Sequence, residues 1–152
     1  MSKELWGNTV WYLFHTIAEQ IKEDEFVKSK DSILEIIKLT CYVLPCPDCS
    51  KHATDILKNI NFTNMNNKEE LKTFLFNFHN DVNKKLNKPI HKIENLDMYK
   101  KANFNIIVNN FNIIFAQNSN IPQLMSVSFR RQKTLPIILN YINNIKIHIQ
   151  EN

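Results

Sequence analysis

Glycine is almost missing from this chain: 152 residues contain one, together with five prolines. Hairpins and sandwich turns draw heavily on both residue types, so a β-rich architecture is disfavoured and helices remain. Cysteine is scarce as well. Three are too few for a disulfide scaffold, so a close pair among them points to redox or metal chemistry. No apolar run approaches the roughly 18 residues of a membrane span. The opening Met1-Ser2-Lys3-Glu4-Leu5-Trp6 lacks the basic-then-apolar order of a signal peptide, so the expected setting is a reducing compartment rather than a secreted one. A basic stripe is also lacking. The net charge is +4, and lysines are scattered among Glu and Asp, which argues against a nucleic-acid partner. The densest basic cluster, Arg130-Arg131-Gln132-Lys133, reads as a solvated loop or helix end.

What is present suffices for one compact domain: 43% of residues are hydrophobic and 11% aromatic. Leu5, Trp6, Val10, Leu13, Phe14, Ile17 and Ile21 recur at three- and four-residue steps, predicting an amphipathic helix over residues 3 to 22. Lys22-Glu23-Asp24-Glu25 reads as a solvated break. Asp31 can cap a second helix, with Leu34, Ile37, Cys41 and Leu44 on one face, and Pro45 ends it. A third helix is expected from Pro47 to about Leu57. Asn67 with Glu70 three residues on resembles a capping box opening a fourth. Its buried face runs through Leu71, Phe74, Leu75, Phe78, Val82 and Leu86, and Lys88-Pro89 stops it. Four helices on short links imply an all-α bundle. Beyond residue 100, Phe104 to Phe115 and Ile138 to Ile149 suggest two more helices, separated by Asn118 to Pro122. Their apolar faces must be buried somewhere, with association at the surface slightly favoured over packing on the same bundle.

Cys46-Pro47-Asp48-Cys49 is the most informative stretch. C-x-x-C spacing can close a small disulfide, and Leu44-Pro45 imposes an extended entry into a helix start. Free N–H groups and the positive end of a helix dipole stabilise a thiolate there. Half of a zinc site looks the same, so by spacing alone a redox dithiol and a zinc module using Cys41, Cys46, Cys49 and His52 both stand. Trp11 and His15 share one face of the first helix, His52 follows Cys49 by one turn, and Phe76, His79, Asn80 and Asn83 form a polar-aromatic stripe on the fourth helix. Brought together, these stripes make an aromatic cleft beside a dithiol. Such a cleft suits a flat heteroaromatic cofactor better than a metal. Cys41 reads as a buried apolar residue.

Three motifs then stand in order and register: Trp6-Gly7-x-x-x-Trp11-x-x-x-His15-Thr16-x-Ala18, Leu44-Pro45-Cys46-x-x-Cys49-x-x-His52, and His79-Asn80-x-Val82-Asn83-x-Lys85-Leu86-x-Lys88-Pro89. In these the chain resembles the Erv/ALR flavin-linked sulfhydryl oxidases, particularly the small versions encoded by large cytoplasmic DNA viruses. The resemblance spans roughly residues 5 to 100. It implies a four-helix bundle holding FAD, with a short fifth helix and, here, an additional C-terminal helical segment. The division is an oxidase domain over 1–100 and an extension over 101–152. A homodimer is implied too, acting in the host cytoplasm or virion.

By the same resemblance, Cys46 exchanges with incoming thiols and Cys49 lies against the flavin. Gly7, Asn8, Trp11, His15, Tyr42, His52, His79, Asn80, Val82, Asn83, Lys85 and Lys88 are expected to contact FAD, with Tyr99 near the cofactor; no metal is expected. Electrons from a thiol protein, or a small redox carrier, would pass to molecular oxygen and yield hydrogen peroxide. The family's second disulfide would fall at Phe76 and Ile93 and is absent. No shuttle pair lies in either terminal segment, so electrons come directly from a partner's thiols. A flavin-free thiol–disulfide carrier is the alternative, ahead of the zinc module.

Overall fold

The first helix, α1 (Lys3–Gln20), starts where Ser2 Oγ accepts the Leu5 N–H at 3.2 Å, and it buries Trp6, Val10, Leu13, Phe14 and Ile17. The structure is a computed structural model that describes residues 2–150. Among these it has seven α-helices and no strand beyond one isolated bridge. The others are α2 (Phe26–Tyr42), α3 (Pro47–Lys58), α4 (Lys68–Lys85), the one-turn α5 (Asp97–Lys100), α6 (Phe104–Phe115) and α7 (Met125–Ile145). The first four form the expected bundle, α4 packing on α1 and α3 on α2, and α5 is the short fifth helix against α1. None of the described helices is long and apolar enough to cross a membrane.

Local chemistry sets the boundaries. Asn67 Oδ1 accepts the Glu70 N–H at 2.9 Å, and the Glu70 carboxylate accepts the Asn66 N–H at 2.8 Å, one residue before the cap. Lys68 Nζ donates to the carbonyls of Glu19 and Ile21 at 2.9 Å, and Lys72 pairs with buried Glu19 at 3.3 Å. The start of α4 is thereby fastened to the end of α1. Asn87, at φ 55°, turns the chain out of α4 just before Lys88-Pro89. Asn is one of the few side-chain-bearing residues that tolerates that backbone.

Two boundaries depart from the sequence reading. Helix α2 begins at Phe26, and Asp31 lies inside it rather than at its cap. The acidic Glu23–Glu25 stretch forms one 3₁₀ turn that runs straight into the helix, so no break intervenes. Helix α7 begins at Met125, well before Ile138, and runs through Pro136, whose ring is exposed. Arg130 to Lys133 therefore lie inside a helix, neither in a loop nor at its end. Arg131 is buried: its Nε donates to the Phe115 carbonyl at 3.2 Å and its Nη2 to the Gln117 carbonyl at 2.8 Å. The guanidinium satisfies the end of α6, where the helix dipole is negative.

The tail faces are buried on the chain's own bundle, α6 against α1 and α7 against α2. Phe104, Ile107, Phe111, Phe115, Leu135, Ile138, Ile142, Ile145 and Ile149 join one core with α1 to α4. Further ties hold both ends of the tail. Gln20 Nε2 donates to the carbonyls of Tyr99 and Ala102 at 2.8 and 2.6 Å. Ile21 and Ile149 form an antiparallel bridge, and His148 Nδ1 lies 3.2 Å from Glu25. Shape alone explains the preference for self-packing: α1 and α2 are buried on two sides, and α3 and α4 cover only one.

Candidate functional site

The Cys46 backbone is extended at the head of α3, Pro47 fills the first helical position, and Cys46 Sγ accepts the Cys49 N–H at 3.2 Å. A missing N–H costs nothing at that position, which is why proline is tolerated there. Cys46 and Cys49 form a disulfide, and both are partly exposed. A thiolate released at either sulfur would sit at the positive end of α3, a setting that favours the anion. Asp48 in the same turn opposes it.

Behind Cys49 is a cavity of about 230 Å³ walled by α1, α3 and α4. Helix α1 contributes Lys3, Trp6, Gly7, Asn8, Val10, Trp11 and Phe14; α3 contributes Asp48, Cys49, His52 and Ala53. Helix α4 and its exit give Phe78, His79, Val82, Asn83, Lys85, Leu86 and Lys88, and Cys41 and Leu44 close the wall beside the disulfide. The volume is below the roughly 300–1,000 Å³ usual for small-molecule sites, enough for a flat ring system with its chain lying outside. Gly7 is the chain's single glycine and sits inside α1, where glycine costs about 1 kcal/mol against alanine. A Cβ there would meet no protein atom within 4 Å, so the glycine is not required by packing within the chain.

One end of the cavity is a stack of rings. Trp11 stacks on His79 with centroids 4.1 Å apart and meets Phe14 and Phe78 edge-on. His15 Nε2 and His79 Nδ1 are 2.9 Å apart, sharing one proton, and Tyr99 and His91 stack further out. Burial, with the neighbouring imidazoles second, lowers the His15 pKa to about 3; burial, then His91 and Lys88, does the same for His79. Both rings are therefore neutral at ordinary pH. Burial also lowers His52 and His91, raises Tyr99, and raises the Cys41 thiol, which stays protonated.

Nitrogen atoms of His15, His79 and His91 lie within 4.8 Å of one another, a spacing that admits a metal. Their rings, however, are inclined by only 15–30°. Imidazole lone pairs lie in the ring plane, so stacked rings send them side by side and not toward one ion at about 2.0–2.1 Å. The trio is an aromatic stack. Among the described residues Cys41, Cys46, Cys49 and His52 form no such ligand group.

Of the residues singled out in the sequence, Gly7, Asn8, Trp11, Cys49, His52, His79, Val82, Asn83, Lys85 and Lys88 border the cavity. Cys46 lies outside its lining, at the head of α3. His15 and Tyr99 stand in the ring stack behind His79. Asn80 faces the other way, clamping the His91 backbone with bonds of 2.7 and 3.1 Å. Tyr42 is exposed beneath Arg130 of α7, away from the cavity. Lys3, Phe14 and His91 were not anticipated. Phe14 shares a face with Trp6, Val10 and Trp11, so helical spacing marks it only as core, whereas His91 follows the third motif with no pattern to mark it.

A model of the Erv1 / Alr family matches residues 8–103. FAD-linked sulfhydryl oxidase ERV1 of Arabidopsis thaliana is 30% identical over 97 residues, 64% of this chain and 50% of that protein. The FAD-linked sulfhydryl oxidase of African swine fever virus (isolate Tick/Malawi/Lil 20-1/1983) is 35% identical over 85 residues, 56% of this chain and 71% of that protein. Protein 096R of Invertebrate iridescent virus 3 is 32% identical over 87 residues, 57% of this chain and 59% of that one. The chain thus spans about half to three-fifths of the plant and iridescent-virus relatives. No solved structure matches it.

Proposed function

The chain belongs to the Erv1/Alr family, and from that membership we propose that it is an FAD-dependent sulfhydryl oxidase that forms disulfides in partner proteins and passes the electrons to molecular oxygen as hydrogen peroxide. The observation that carries the reading is the pairing of a Cys46–Cys49 disulfide with a ring-lined cavity bordered by Cys49 and not by Cys46.

The residues present fit FAD. The cavity's volume admits a flat ring system, Gly7 leaves open space on its wall, and Lys3, Lys85 and Lys88 border it and supply cations for a diphosphate. Asn83 and His79 offer amide and imidazole groups to ring heteroatoms. When bound, the flavin supplies a two-electron acceptor that oxygen regenerates.

The chain's own part is thiol–disulfide exchange. A partner thiolate attacks Cys46 Sγ, the S–S bond breaks, and Cys49 leaves as a thiolate at the head of α3. A second partner thiol, deprotonated, attacks the mixed disulfide at the partner's sulfur and expels Cys46. The partner leaves oxidised by two electrons, and Cys46 and Cys49 are reduced by two. Cys49 borders the cavity and is the sulfur that passes them on. Residues 1–100 carry this chemistry, 101–152 extend it, and a homodimer belongs to the same reading. The viral relatives support a site of action in the host cytoplasm or virion.

Oxygen uptake with dithiothreitol tests the proposal on FAD-loaded protein. Cys46→Ser and Cys49→Ser should each abolish it, and Cys41→Ser should retain most of it. A colourless protein that exchanges disulfides without consuming oxygen would favour the flavin-free carrier.

A further inference from the structure

We propose that the shoulder formed by Tyr42 on α2 and Arg130 and Lys133 on α7 docks an acidic, cysteine-bearing segment of the thiol partner and presents it to Cys46. The inference rests on the thiol-oxidase reading and names the chemistry of its partner.

Charge is the first argument. Between residues 98 and 150 the chain has six Lys or Arg and no Asp or Glu. A long segment with cations and no carboxylate cannot neutralise itself, and it attracts acidic partners. Arg131 is committed to the carbonyls that end α6, which leaves Arg130 and Lys133 exposed on α7. Neither has a carboxylate partner among the described residues. Each instead lies over a ring: Arg130 Cζ is 5.1 Å from the Tyr42 centroid, and Lys133 Nζ is 4.5 Å from that of Phe129.

Position is the second. Helix α7 runs antiparallel to α2, since His148 beyond its end meets Glu25 before α2, and Arg130 near its start meets Tyr42 at the end of α2. The cations are thus delivered to the end of α2 that leads into the disulfide. Tyr42 precedes Cys46 by four residues, so their Cα atoms are at most about 14 Å apart, the span of four or five residues of an extended peptide. Tyr42 is 51% exposed and Phe129 58% exposed, so both rings can be covered by a partner. Aromatic rings and a planar guanidinium are the groups that anchor protein interfaces. Two exposed cations are few for tracking a nucleic-acid backbone, and the adjacent disulfide gives a thiol protein a reason to dock here.

The test uses full-length, FAD-loaded protein and single-cysteine peptides of equal length with acidic, neutral or basic residues beside the cysteine. At low salt the acidic peptide should be oxidised with a kcat/KM about fivefold above the neutral one, the scale of exposed ion pairs. That preference should collapse in Arg130→Glu and Lys133→Glu, and in 0.5 M salt. Turnover of dithiothreitol and the melting temperature should not change. Equal preference in wild type and both variants would overturn the proposal, as would equal loss of dithiothreitol turnover. Anisotropy with the same peptides carrying Ser for Cys measures docking without chemistry. If no thiol is oxidised at all, the activity reading falls while this arm still decides docking. Arg130-dependent binding of a 20-mer DNA duplex, with no binding of the acidic peptide, would make the surface a nucleic-acid site and also overturn it.

Discussion

Phe111→Ala tests whether the C-terminal helices share one core with the bundle. Phe111 is fully buried on α6, which packs on α1, and stacks on Phe115 with centroids 4.4 Å apart. Truncating a buried phenylalanine removes the transfer free energy of the ring and leaves a cavity, together about 3–5 kcal/mol. A ring held between two helices that are tied at both ends has little room to collapse, which places the cost in the upper half. For a chain of this size each kcal/mol moves Tm by about 2–4 °C, so the variant should melt roughly 8–20 °C lower. Thermal unfolding followed by circular dichroism measures it, with flavin release recorded in the same scan. If the tail is part of the core, helix loss and flavin release move down together. A flavin-release temperature equal to wild type, with only part of the helical signal lost early, would refute the shared core and make residues 101–152 a detachable layer.

Three further outcomes follow from the site. Gly7→Ala should raise the stability of the cofactor-free protein by about 0.5–1 kcal/mol, because alanine is the better helix former, while weakening FAD binding; tighter FAD binding, read by fluorescence titration, would show that the open space at Gly7 is not used. His15 has a folded pKa of about 3 against about 6.5 unfolded, so its contribution is complete above pH 6.5 and is lost as pH falls toward 3. His15→Phe should flatten the decline of Tm between pH 6.5 and 4, and an unaltered slope would remove His15 as its source. Arg131→Leu should cost about 1–3 kcal/mol by leaving the Phe115 and Gln117 carbonyls unsatisfied, and an unchanged Tm would show that water replaces the guanidinium.

Local signals in the sequence were legible because their causes are local. The Asn67 cap, the Pro47 start of α3 and the three- and four-residue steps of α1, α4 and α6 each depend on a few neighbouring residues. The start of α2 was not legible, since a run of three acids reads equally as a break or as a 3₁₀ turn feeding a helix. Helix α7 was masked by Pro136, which ordinarily breaks a helix, and by the run of like charge at Arg130–Lys133. The burial of Arg131 against the end of α6 is a long-range contact that no neighbouring residue signals. At the site, Trp11, Cys49, His79 and Asn83 were placed by motif spacing. His91 was not, because a clamp by Asn80 across a turn brings it in, and Tyr42 lies exposed beneath Arg130 of α7, a long-range contact that no local pattern marks.

The visible spectrum of the purified Cys46→Ser protein after incubation with FAD tests the central claim most directly, that this cavity holds a flavin against Cys49. About one flavin per chain is predicted, together with a long-wavelength band that grows as pH is raised and the Cys49 thiol ionises; the matching Cys49→Ser protein should bind flavin without that band. A chain that stays colourless, or an identical band in Cys49→Ser, would contradict the account.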